Sequence, residues 1–292
     1  MKWKKLGQVF NPTTWEDGIK RDWMKSHSQS VSTLIKEDCV RVYFSCRPEK
    51  EDNGKTTSYT TWLELDKKDL TKVLRVSDKP VMPLGSLGSF DEHSVYPSSI
   101  IKEENDIKLY YAGWYRCSSV PFNEPYVISG PKIRKFGDLY YLYYLAGKEW
   151  IDHNGKPEIV YKLRMAISND GTNWNRFNKN IIDDVLDENE CQAGPDVFKY
   201  KGKYHMYFVY REGLDFRIKK GRGYKIGYAH SIDGFNWVRD DKNVGIHYSE
   251  SGWDSTMHHY PHVFNLSEQY YMLYNGNDFG RYGFGLAVLE NE

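Results

Sequence analysis

The chain alternates short apolar runs with polar turns, and no stretch keeps apolar residues at i, i+3, i+4 and i+7 over the length of an amphipathic helix. Five of the runs are alike: VRVYFSC (40–46), KLYYAGW (108–114), LYYLYYLAG (139–147), YHMYFVYR (204–211) and YYMLYNGN (270–277). Aromatic and β-branched side chains pack well on a pleated surface, so each run reads as a strand. Each follows another apolar run and a tight polar turn, in VSTLIKEDC, PSSIIKEEND, PKIRKFGD, PDVFKYKGK and PHVFNLSEQ. Gly, Asp and Asn sit in these turns, where positive φ is cheapest. The pattern predicts five copies of one β-hairpin.

The first strand of four copies opens with Pro97, Pro131, Pro195 or Pro261, and Val31 takes that place in the first copy. Proline fits a strand start because no ladder donor is lost there. The five positions are separated by 66, 34, 64 and 66 residues. A second repeat, MAISNDGTNWNRF (165–177) and YAHSIDGFNWVRD (228–240), adds a strand, an Asp-Gly turn and a Trp-bearing outer strand. The unit is therefore four strands in about 65 residues, the size of a propeller blade. The short interval leaves no room for an outer pair between Trp114 and Tyr126, so the second blade is truncated or lacks a segment. YGFGLAVLE (282–290) leaves the last blade one strand short, and KWKKLGQVF at the N-terminus supplies it. The prediction is an all-β, five-bladed propeller over residues 1–292, a single domain closed by its two ends. A β-sandwich is the alternative, but its strands would not recur at this spacing.

Composition sharpens this picture. Tyr, Phe and Trp number 24, 13 and 9 of 292 residues, while the mean hydropathy of −0.71 is that of a polar protein. Lys and Arg total 40 and so do Asp and Glu, so no net charge draws the protein to nucleic acid or an anionic membrane. No apolar run approaches a membrane span, and MKWKKLGQVF lacks the apolar stretch of a signal peptide; the expected location is cytoplasmic. Cys39, Cys46, Cys117 and Cys191 include no C-x-x-C pair and are expected to be reduced thiols.

The segments SFDEHSVYPSSII, the S-x-DG-x-NW turns and the closing GWDSTMHHYPHVF and YMLYNGNDFGRYGFGLAVLE resemble bacterial five-bladed propellers related to glycoside hydrolase families 32, 43, 68 and 130. The resemblance spans nearly the whole chain and implies a glycosidase-like protein of polysaccharide metabolism. Family 43 places a base and a pKa-tuning carboxylate just before the strand-opening residue of the first two blades, where this chain has Ser30 and Tyr96. Its general acid lies in a Glu-Gly-Pro triplet, which reads Ala193-Gly194-Pro195 here. The Asp-Pro-Arg of family 130 corresponds to Tyr96-Pro97-Ser98. The Glu-Cys-Pro of family 32 corresponds to Glu190-Cys191, followed by three further residues before Pro195.

Other acids stand in matched registers. Glu92 and Glu190 each lie five residues before a strand proline, Asp91 adjoins the first, and Asp254 lies seven before Pro261. Segments leading into innermost strands crowd the mouth of a propeller channel, so these four are the candidate catalytic carboxylates. A solvated loop acid or a turn cap is the plainer reading of each. Candidates for holding a sugar are His27, Arg47, Tyr96, Arg211, Trp253, His258 and Tyr260, because sugars are bound by planar hydrogen-bonding groups beside aromatic faces. Arg116 shares the register of Arg47 and Arg211, and salt bridging between blades is the plainer reading of all three arginines. No H-E-x-x-H occurs, and His258 and His259 should face opposite sides of a strand, so no metal site or cofactor is expected; the channel admits a lone structural ion.

The sequence thus supports a glycosidase with Glu190 as proton donor and Asp91 as base or nucleophile, acting on a carbohydrate or glycoconjugate. Two alternatives stay open: a non-hydrolytic glycan-binding or polysaccharide-assembly propeller, and a glycoside phosphorylase using Arg47 or Arg211.

Overall fold

The computed structural model describes residues 1–50, 57–114 and 126–290. It opens with β1 (Trp3–Phe10), which is set aside until the ring closes. The first blade is β2 (Ser26–Ile35), β3 (Cys39–Arg47), β4 (Tyr59–Asp66) and β5 (Val73–Val76). The second contains β6 (Ser94–Lys102) and β7 (Ile107–Trp114), with no further strand among the described residues. The third is β8 (Ile128–Phe136), β9 (Leu139–His153), β10 (Lys156–Ser168) and β11 (Asn175–Arg176). The fourth is β12 (Cys191–Tyr200), β13 (Lys203–Arg211), β14 (Lys225–Ser231) and β15 (Val238–Arg239). The fifth is β16 (His259–Leu266), β17 (Gln269–Asn275) and β18 (Phe284–Leu289), completed by β1 pairing antiparallel to β18.

This is the five-bladed propeller the repeat predicts, with a short second blade and a fifth blade built from both chain ends. The innermost strands β2, β6, β8, β12 and β16 touch their neighbours in a closed cycle. Side chains of the second strands fill the spaces between sheets: Phe44, Tyr143, Tyr207, Phe208 and Tyr274 are fully buried. The S-x-DG-x-NW turns are hairpin turns with one shared set of bonds. Asp170 Oδ1 accepts the Thr172 and Asn173 amides at 2.8 Å, and Asp233 Oδ1 accepts those of Phe235 and Asn236 at 2.8 Å. Gly171 and Gly234 supply the positive φ.

The prolines were expected to open their strands, and they do not. Each lies inside an innermost strand, where the pairing with the second strand slips: at Pro97/Ser99, Ser129/Lys132, Ala193/Asp196 and His259/His262, with Gln29/Ser32 in the first blade. A bulge leaves a residue without a ladder partner, so a missing N–H costs nothing at that point. In four strands the residue before the proline position has positive φ: Ser30, Gly130, Gly194 and Tyr260.

The residues after the bulge knit the axis together. Asp196 is fully buried and accepts Arg134 Nε at 2.9 Å, Arg134 Nη2 at 2.6 and 2.7 Å, and the Val263 amide at 2.6 Å. Burial alone would raise its pKa, but Arg134, Lys132 and His262 outweigh that and hold the carboxyl well below the usual range. His262 Nε2 lies 3.2 Å from the Thr33 backbone N, and an amide can only donate, so this nitrogen carries no proton. The ring proton is therefore on Nδ1, directed at Asp196 Oδ2, 3.1 Å away. Ser99 Oγ accepts the Ile133 amide at 2.7 Å and adds the second blade. All five blades are thus tied at the axis.

Two outcomes follow. Arg134→Met strands the buried Asp196 charge and should lower the unfolding free energy by about 3 kcal/mol, read from urea denaturation; an unchanged midpoint would mean the axis carries no stability. Burial, aided by neighbouring cations, depresses His27 and His259 to about 3 and His205 and His262 to about 4. Unfolded imidazoles titrate near 6.5, so the unfolded state takes up more protons between these values. Stability should be whole above about pH 6.5 and decline as pH falls toward 4, which thermal melts across that range would record.

Candidate functional site

The five bulges face a cavity of about 290 Å³ on the axis. Its wall takes the same positions from each blade: Ser30 and Val31, Tyr96 to Ser98, Gly130 to Lys132, Ala193 to Pro195, and Tyr260 with Pro261. Tyr161, Tyr224, His259, Phe279 and Trp114 add to it, with aliphatic side chains such as Leu145 and Ile159. Trp114 is 57% exposed and tilts against Tyr96 with ring centroids 5.9 Å apart. The phenol of Tyr96 is 3.0 Å from Ser58 Oγ. Tyr161 and Tyr224 join through their hydroxyls, and Arg211 Nη2 donates to Tyr161 at 3.0 Å. Burial pushes the Tyr161 and Tyr260 phenols well above their ordinary pKa, so both stay neutral donors. A bulky residue with positive φ is strained, and Tyr260 at φ 48° is held so beside the cavity.

The four candidate carboxylates are not assembled here. Glu190 is 0% exposed and bound to Arg239 Nη1 at 2.6 Å, to the Val185 and Leu186 amides at 3.0 and 3.1 Å, and to Gln192 Nε2 at 2.9 Å. It braces the loop before β12 against β15. Asp91 accepts Ser89 Oγ at 2.8 Å and Tyr111 OH at 3.1 Å. Glu92 accepts the Gly88 amide at 2.6 Å and meets His93 Nε2 at 3.0 Å. Asp254 binds Lys5 Nζ at 2.6 Å and Tyr274 OH at 3.0 Å, fastening β1 to its blade. No Asp or Glu lines the cavity among the described residues. Each of these acids finds its partner within or between sheets, as a turn cap or structural ion pair.

Of the predicted binding residues, Tyr96 and Tyr260 line the cavity. His27 lies near the start of β2 beside Arg47, whose Nη2 donates to Gln29 Oε1 at 3.1 Å. Arg211 lies behind the wall, its guanidinium 3.4 Å from the Phe216 ring centroid and spent on the Glu212 and Gly213 carbonyls. Trp253 packs on Tyr274 inside the fifth blade, and His258 is buried 3.6 Å from Asp254. His258 and His259 do face opposite ways, His259 meeting Tyr224 with ring centroids 4.1 Å apart. Arg116 and Cys117 lie outside the described residues. Among those described, no cluster of His, Cys, Asp or Glu could hold a metal ion, and Cys39, Cys46 and Cys191 are free thiols. Among the described residues, no helix is long and apolar enough to cross a membrane.

Sequence reasoning missed Lys132, Trp114, Tyr161 and Tyr224. Lys132 had a signal, since a lysine directly after a strand proline is out of place beside a buried run. The two tyrosines reach the cavity from β10 and from the segment before β14, and only the folded geometry brings them together.

The fold is the five-bladed propeller also found in structures of glycoside hydrolases. The structure of a BT0996–RGII complex superposes over 98% of this protein and 91% of its own length, with a TM-score of 0.67 at 13% identity. A thermostable family-43 glycoside hydrolase gives 0.58 over 91% of both proteins at 13% identity, and the GH43_1 enzyme of Xanthomonas citri gives 0.57 over 91% and 88% at 13%. No family model matches. In sequence, the uncharacterized proteins MT1551 and Rv1502 of Mycobacterium tuberculosis are each 32% identical over 320 aligned positions, covering 100% of both partners in the alignment. This protein belongs to the family of these two mycobacterial proteins.

If Glu190 is a brace, Glu190→Ala should lower the unfolding free energy by about 2 kcal/mol by taking the acceptor from the Val185 and Leu186 amides and one ion-pair partner from Arg239, which keeps Asp241, and should leave affinity for a cavity ligand unchanged. A loss of affinity in a variant of unaltered stability would return Glu190 to the site.

Proposed function

We propose that this protein is a non-hydrolytic carbohydrate-binding propeller whose ligand sits in the axial cavity. One observation carries the reading. Ser30, Tyr96 and Ala193, the positions where the family-43 resemblance calls for carboxylates, all line the cavity, and none is acidic. Glycoside hydrolysis uses two carboxyl groups roughly 5 to 10 Å apart across the bond being cut. The described wall offers instead aromatic rings, phenolic hydroxyls and bulge backbone, a mixture that holds a sugar ring by its faces and hydroxyls. The fold neighbours support the ligand class: one is described with RGII, and the Xanthomonas citri enzyme also as a complex with xylose. Phosphorolysis is less well supported, because neither Arg47 nor Arg211, the cations that would hold the phosphate, lines the cavity.

The test is a binding panel of neutral and acidic mono- and oligosaccharides followed by calorimetry, with product analysis of every binder. Expected are binding without cleavage and at least a tenfold loss of affinity for Trp114→Ala and Tyr260→Ala, since an aromatic platform is worth one or more kcal/mol. Release of reducing sugar from a binder that saturates the cavity, abolished by Glu190→Gln in a folded variant, would overturn the proposal in favour of hydrolysis.

A further inference from the structure

Lys132 is the one residue with a charged side chain among the described lining of the cavity. It follows the bulge of β8 and is only 8% exposed. Its ammonium donates to the Val31 carbonyl across the channel at 3.1 Å. Its other polar contact among the described residues is His262 Nδ1 at 3.4 Å, and that nitrogen is the one bearing the ring proton, as the Thr33 amide on Nε2 requires. It therefore accepts nothing from Lys132. An ammonium has three donors, and two of these have no acceptor among the described residues.

Nor is the charge balanced. Asp196, the acid of this layer, is engaged bidentately by Arg134 and also takes the Val263 amide and the His262 proton. No carboxylate forms an ion pair with Lys132 among the described residues. With His262 neutral, the axial layer carries Lys132, Arg134 and Asp196, and so one unit of positive charge in excess. Burying an unpaired ion is costly, and proteins normally pair such groups or let them lose their charge. Burial, opposed by Asp196, brings the Lys132 pKa down only to about 8, so at neutral pH the cation persists at the cavity floor.

We infer that the ligand of the axial cavity is an anionic sugar, whose carboxylate or phosphate oxygens take the two free hydrogens of the Lys132 ammonium while its ring lies against the aromatic wall. The inference rests on the carbohydrate reading above and names the ligand class within it. An anion there would supply both the absent acceptors and the absent counter-charge. A charge-assisted pair in a cavity of low polarity is stronger than a neutral hydrogen bond. A neutral sugar would satisfy the acceptors alone.

The experiment compares matched pairs by calorimetry at pH 7: glucuronic acid against glucose, galacturonic acid against galactose, and the corresponding 6-phosphates. The expected result is at least tenfold tighter binding of one acidic series over its neutral parents, lost in Lys132→Met, which keeps the side chain as far as Cε and removes the ammonium. Which series wins distinguishes a carboxylate from a phosphate. Because a variant in this layer can fail to fold, the wild-type protein supplies a second readout: the preference should shrink as pH rises through about 8 and the ammonium is lost. Neutral and acidic sugars binding equally, or a preference that survives Lys132→Met or pH 10, would overturn the anionic ligand while leaving the carbohydrate reading intact. No binding by any member of the panel would overturn both.

Discussion

Each innermost strand of the ring is interrupted at the same point, and both the cavity and the axial network are consequences of that interruption. A regular strand would place its edge along the channel as an unbroken row of ladder groups. The bulge lets the chain step aside, with Ser30, Gly130, Gly194 and Tyr260 absorbing the step through positive φ. Above it, five short segments diverge and leave a pocket. Below it, Thr33, Ser98, Lys132, Asp196 and His262 converge closely enough to exchange hydrogen bonds between blades. Proline is suited to the position because its ring fixes φ and it has no N–H to leave unpaired.

The closing strand serves the same end at the rim. Without β1 the fifth blade would present an open sheet edge, the form of β-structure most exposed to unwanted pairing. Pairing with β18 covers that strand and leaves β1 outermost, and the Lys5–Asp254 contact places an ion pair where the two chain ends meet. The second blade has no such closure among the described residues, and β7 pairs only with β6. Tyr110 still packs with Ile101, Ile133 and Tyr140, so the described inner half of this blade is anchored to the third blade.

The fold was legible because its information is local and repeated. A hairpin announces itself within about twenty residues, through alternation and through turn residues such as Asp170-Gly171 and Asp233-Gly234, and five copies fix the architecture. The site was not legible, because its information is relational. Glu190 and Glu92 share a register before their prolines, yet Glu190 is captured by Arg239 and Glu92 by the Gly88 amide. Neither partner can be identified by counting along the chain. The layer that does converge sits one residue after the proline position, where Lys132, Asp196 and His262 interrupt otherwise apolar runs. Ionisable residues in strands that should be buried on both faces are the stronger pointer to an axis than acids in the loops above it.

This contrast bears on how one scaffold divides stability from chemistry. Asp196 is the costliest group in the axial layer, and it is satisfied as fully as a carboxylate can be: a bidentate guanidinium, an amide and an imidazole proton. A layer selected only for stability would treat Lys132 likewise, with an acid opposite it or an apolar residue in its place. Either change would be worth more than the single carbonyl bond it now has. Consistency across levels is the rule in folded sequences, and departures from it concentrate where a ligand completes the structure. Within one ring of equivalent positions, then, the paired charge builds the axis and the unpaired one faces the cavity.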